Sequence, residues 1–193
     1  NRDISPQEII RLKDIEACVE LFYNSGRFAV TLQYLEKKLE TTDSFTFYES
    51  LSVFLRGRRY LDRPVRAPEL YEILHEFIRE SNPPVSEGIK EFMRLDYLRS
   101  FKNPSIPVFL RSDADIDPSR HKQKKIDQYR NALERMLPRL RVQTSDSIRQ
   151  QIHIEDFNFP EGLELPRKAV IAVDFADVSP VTGLAEICFL ESI

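Results

Sequence analysis

Glycine is scarce in this chain: five in 193 residues, against twelve prolines. That scarcity argues against a glycine-rich phosphate loop, which needs positive φ and close backbone approach to its ligand. Tryptophan is missing altogether, and the two cysteines, Cys18 and Cys188, lie near opposite ends of the chain. They have no partner spacing for a metal site or a disulfide framework, and they read as reduced, buried, small apolar residues. No apolar run reaches the ~20 residues that a membrane-spanning helix needs. With no secretory leader before the first helical segment, the chain reads as soluble and cytoplasmic. It starts at Asn1 without an initiator methionine, as expected of a C-terminal piece of a longer protein.

Charge of one sign is lacking too. The formal charge is -3 and the pI about 5.7, so no overall basic field favours nucleic acid or an anionic membrane. Residues 111–141 hold nine Lys/Arg against five Asp/Glu, whereas 142–193 hold three against nine. A basic helical stretch and an acidic tail can therefore complement each other within the fold.

The residues that are present, 41% apolar with 13 Phe and 31% charged, are those of an ordinary folded domain. Ser5, Pro6 and Glu8 form a helix-start pattern, with cap, first-turn proline and capping box in order. Ile15, Cys18, Val19 and Phe22 follow at helical spacing, and Tyr23-Asn24-Ser25-Gly26 ends the helix in residues that tolerate left-handed backbone. A second helix has Phe28, Leu32, Leu35 and Leu39 on its inward face, and a third has Phe47, Leu51, Phe54 and Leu55. A fourth carries Leu70, Leu74, Phe77 and Ile78, and a fifth starts at Ser86 with Ile89, Phe92 and Met93 inward. Beyond a proline- and aspartate-rich connection, a sixth starts after Asp117-Pro118 and carries Ile126, Tyr129, Leu133, Met136 and Leu137.

From Ile148 the period becomes two, with a switch of apolar face to Phe157 and Phe159 that suggests a bulge or an end there. Ala169–Phe175 is apolar on both faces and reads as a central strand, and Ala185–Leu190 follows a Ser-Pro-Val-Thr-Gly turn as a third. The expected architecture is a single α+β domain over 1–193. A bundle of about six helices (5–141) precedes a small antiparallel β-meander (148–191).

Chemistry is hard to find. His75, His121 and His153 are scattered, without the short spacings of zinc or facial-triad sites. His153 and Glu155 would share a strand face, most simply as a solvent-exposed polar pair. There is no Gly-x-Ser-x-Gly elbow. Two basic runs stand out, Arg56, Arg58 and Arg59 in one and Arg120, Lys122, Lys124 and Lys125 in the other, with Tyr60 and Tyr129 nearby. Arg and Tyr interleaved in this way can grip phosphates and stack bases. The acidic pI instead favours solvated faces or a partner-domain surface.

Leu12-Lys13-Asp14-Ile15-Glu16 followed by Phe22-Tyr23-Asn24-Ser25-Gly26-Arg27-Phe28 resembles the start of a known domain. It is the uncharacterised C-terminal domain that follows the catalytic barrel in a group of bacterial cobalamin-binding radical S-adenosylmethionine proteins. Ser44-Phe45-Thr46-Phe47-Tyr48-Glu49, and Asp174-Phe175 leading to Pro180-Val181-Thr182-Gly183, extend the likeness over nearly the whole chain. The resemblance implies a parent with cobalamin in a Rossmann-like domain and an iron-sulfur cluster with S-adenosylmethionine in a barrel. It also implies that those two domains of the same chain are the partners of this one. The Cys-x-x-x-Cys-x-x-Cys and Asp-x-His-x-x-Gly motifs of such parents do not occur in this sequence, so no catalytic or cofactor role carries over to any residue. The implied role is a non-catalytic accessory domain that caps the active site or recognises substrate, with Tyr23, Asn24 and Arg27 as candidate interdomain contacts. The alternative is a nucleic-acid or protein-binding helical module using the two basic runs.

Overall fold

The computed structural model describes residues 4–39, 43–102, 105–111 and 118–192. Among the described residues seven α-helices precede a three-stranded antiparallel sheet whose strands lie in chain order, an α+β arrangement. Contacts divide the chain into two compact units, 1–93 and 94–193, and the division falls within α5 (Pro83–Ser100).

In the first unit α1 (Pro6–Cys18) opens on the expected capping box. The Ser5 hydroxyl accepts from the Glu8 amide at 3.2 Å, and the Glu8 carboxylate accepts from the Ser5 amide at 2.8 Å. Two first-turn donors that α-helix geometry would leave orphaned are thereby satisfied. The helix does not stop at Cys18 but passes into a π-helical turn, Val19–Asn24, that brings Phe22 into the core. Gly26, at φ 68, then turns the chain into α2 (Ala29–Lys38).

Phe28 and Leu35 lie inside as expected, but Leu32 and Leu39 are half-buried, and Thr31 and Tyr34 take the inner positions instead. Tyr34 stacks on Phe92 with ring centroids 4.3 Å apart, a contact that fixes which face of α2 turns inward. α3 (Ser44–Gly57) starts at Asp43, whose carboxylate accepts from the Thr46 amide at 2.9 Å. α4 (Ala67–Ser81) buries all four residues that its periodicity marks, with Tyr71 and Ile73 beside them. α5 begins at Pro83, three residues before Ser86, because proline is tolerated in a first turn where its missing N–H has no helical partner.

In the second unit α6 (Pro118–Met136) and α7 (Ser145–Gln151) cover one face of the sheet. Ile126, Tyr129 and Leu133 meet Ile148, Ile152, Ile154 and Ala172 there. The meander begins at Ile152 rather than Ile148. Thr144 accepts from the Ser147 amide at 3.3 Å and caps α7, on which Ile148 is the buried residue. Ile148 and Ile152 are four apart, a spacing that serves a helix and a period-two strand alike.

β1 (Ile152–Asn158) pairs with β2 (Lys168–Val178) in one unbroken register from Ile152↔Asp174 to Asn158↔Lys168. Of the two expectations near Phe157, the strand end is found, at Asn158, and the bulge is not. The apolar face switches because both sides of β1 are covered, with Ile152 and Ile154 in the α6–α7 core and Phe157 buried among other groups. Irregularities lie instead between β2 and β3 (Ala185–Ser192), at Val170/Ile171 and Asp174/Val178.

Candidate functional site: an apolar groove beside the π-turn

The Tyr23–Phe28 connection is tightly held. Asn24 donates from its side-chain amide to Glu20 at 2.6 Å, the Gly26 amide donates to the Tyr23 carbonyl at 3.0 Å, and the Tyr71 hydroxyl donates to the Arg27 carbonyl at 2.9 Å. Phe28 packs between Phe22 and Tyr71, with centroids 5.2 and 4.4 Å away. Of the three candidate contact residues, Tyr23 stands 64% exposed, Asn24 is exposed but tied to Glu20, and Arg27 is half-buried.

Beside this connection lies a groove of about 770 Å³. Ile15, Val19 and Tyr23 form one wall, from α1 and the π-turn. α2 supplies Ala29, Leu32, Gln33, Glu36 and Leu39, and the start of α3 supplies Ser44, Phe45, Phe47 and Tyr48. Leu32 and Leu39 are thus the apolar residues whose periodicity suggested core but which face the groove. Phe45, 51% exposed, joins Tyr23 as a second exposed aromatic. A large, mainly apolar concavity with few polar groups is the usual form of a binding site. The polar groups here are sparse: a carboxylate, an amide and the hydroxyls of Ser44 and the tyrosines. Burial pushes the Tyr48 hydroxyl up to about 12, so this phenol stays neutral.

The first basic run is largely neutralised within its own unit. Arg56 pairs with Asp14 and with Asp62, the latter at 2.9 Å, and Arg58 pairs with Glu76 and Glu80 while its guanidinium lies 4.0 Å over the Phe54 ring. Arg59, with left-handed backbone at φ 61, reaches Asp62 at 3.2 Å. In the second run the side chains of Arg120 and Lys122 lie outside the described residues, and Lys124 is exposed. Lys125 is nearly buried and pairs with Asp156 at 2.8 Å and Glu155 at 3.6 Å.

His153 and Glu155 are not a solvated pair. They meet at 2.9 Å with side chains only 15% and 12% exposed, and Glu155 also accepts from Arg94 of α5 at 2.7 Å. Arg94 further donates to the Asp156 carbonyl at 3.1 Å and lies 5.2 Å over the Phe157 ring. Burial works to raise the Glu155 pKa, but the hydrogen bond and charge of His153, with the charges of Arg94 and Lys125, outweigh it and bring the group down to about 2. Arg94 was not singled out in the sequence, although an arginine inside Phe92-Met93-Arg94-Leu95 is a signal of a buried, paired cation. The cluster ties α5 and α6 to β1.

The two thiols, Cys18 buried and Cys188 half-buried, are both free. Burial pushes Cys18 up to about 12 and raises Cys188 as well, so both thiols stay protonated at neutral pH. Among the described residues no three His, Cys, Asp or Glu side chains are placed to hold a metal ion. No described helix is long and apolar enough to cross a membrane.

Fold and groove together define an α+β chain with an apolar groove on its first unit. The chain belongs to the DUF4080 family, described as proteins of unknown function, whose model matches residues 1–168. No curated protein and no solved structure matches it.

Proposed function

We propose that the chain is a non-catalytic accessory domain of a cobalamin-dependent radical S-adenosylmethionine enzyme, recognising substrate or capping the active site through the groove of its first unit. The observation that carries the reading is the groove itself, flanked by exposed Tyr23 and Phe45 and built on the Tyr23–Phe28 turn. That turn contains the residues on which the likeness to such enzymes rests. Radical intermediates must be kept from water and oxygen, and a close-fitting cap over a barrel mouth is one physical way to do that. The iron-sulfur cluster, S-adenosylmethionine and cobalamin would belong to the other domains of the parent, which are the partners proposed for this one.

The test is anaerobic purification of the natural polypeptide that carries this chain, read by its absorption spectrum. Iron-sulfur and corrinoid bands are expected; a product with neither overturns the proposal. The competing reading, a nucleic-acid-binding module, is weakened by the carboxylates that occupy Arg56, Arg58 and Arg59. Single-stranded RNA binding with a steep salt dependence would reverse that order.

A further inference from the structure

We propose that the groove of the first unit takes the apolar chain of a small amphiphile bearing a cationic head group, with the head at Glu36. This names a ligand class for the recognition role above, and it rests on that reading for its place in a larger enzyme. The size of the groove, about 770 Å³, falls within the roughly 300–1,000 Å³ of small-molecule sites. Val19, Leu32, Leu39 and Phe47 offer a continuous apolar lining with no charge on it. Among the described lining residues Glu36 is the one that carries a full charge, and it is exposed, so an ion pair there leaves the head group in water. Glu20 is exposed on the turn that contributes Val19 and Tyr23, and Lys37, exposed next to Glu36, does not line the groove. Lys38, on the same helix as Glu36, leans over the ring of Tyr34, a core residue that does not line the groove. Among the described lining residues an anionic head would therefore meet no cation, whereas an ammonium finds the Glu36 carboxylate.

The experiment is calorimetric titration of the 193-residue chain, at low ionic strength, with octylamine, decylamine and the carboxylates of equal length. Each buried methylene should tighten binding about fourfold, so decylamine should exceed octylamine by more than tenfold. Each amine should bind severalfold more tightly than its carboxylate, as an exposed ion pair allows. Glu36→Gln should erase that preference and keep the chain-length dependence. Ala29→Phe, at an exposed lining position where folding is checked by circular dichroism, should abolish binding of all four. Equal affinity for amine and carboxylate, insensitivity to chain length, or unchanged binding to folded Ala29→Phe would overturn the proposal. So would self-association that Ala29→Phe abolishes without any amphiphile bound, which would assign the groove to a second copy. A parent without corrinoid bands would remove the enzyme setting and leave this result standing. Loss of binding here leaves the spectrum of the parent to decide the accessory role.

Discussion

Replacing Glu155 by glutamine isolates the cost of the charge cluster on β1. The glutamine keeps the shape and one acceptor oxygen but removes the charge that Arg94, Lys125 and His153 face. A carboxyl that titrates near 4.5 in the unfolded chain and at about 2 in the fold contributes about 3 kcal/mol to stability at neutral pH. Truncating one partner of a buried pair gives a similar figure, about 3–5 kcal/mol, because the other charge stays behind uncompensated. Because the folded pKa is the lower one, the contribution is fully present above about pH 5 and is lost as the pH falls from there toward 2. Urea titration followed by the amide signals of β1 and β2 reads the second unit alone. At pH 7 Glu155→Gln should lower the midpoint by about 1.5 M if the slope is about 2 kcal/mol/M. The gap between wild type and variant should close progressively below pH 4.5. Carboxylates elsewhere titrate in both proteins and cancel in the difference. A variant that unfolds at the wild-type midpoint at pH 7, or a gap that does not change with pH, would refute the account of the cluster.

Two further outcomes follow from the first unit. Tyr71→Phe removes the hydroxyl that donates to the Arg27 carbonyl and should cost about 1 kcal/mol in urea unfolding, with faster amide exchange at residues 24–28 as its local signature. Cys18, fully buried and pushed up to about 12, should resist maleimide at pH 8 until the unit unfolds, while partly exposed Cys188 labels first; equal rates in the folded chain would contradict the burial of Cys18.

The helices that could be read from sequence are those whose signals agree with one another. α4 has Pro68 in its first turn and Leu70, Leu74, Phe77 and Ile78 at helical spacing, and each of the four is buried. α1 carried its capping box in three residues. α7 was missed because it has seven residues and a single buried one, too few to establish a period against the strand that follows. The groove was hidden for a related reason: Leu32 and Leu39 have the spacing of core residues, and only the packing of Tyr34 on Phe92 turns them toward it. Spacing likewise placed His153 and Glu155 on one face of β1, but burial there depends on Arg94, more than fifty residues earlier, and local pattern carries no information about such a pairing.

The π-turn at Val19–Asn24 has a meaning for how this family varies in length. A π-turn is in effect an α-helix with one extra residue accommodated without breaking the helix. A relative one residue shorter between positions 19 and 24 would carry an ordinary α-turn there, and the residues after the gap would keep nearly the same face. The turn to Gly26 would then stay at the edge of the groove. A one-residue gap at this place in a comparison of family members would therefore leave the groove standing, whereas the same gap within α1 would turn everything after it by about 100° and take Tyr23 away from it.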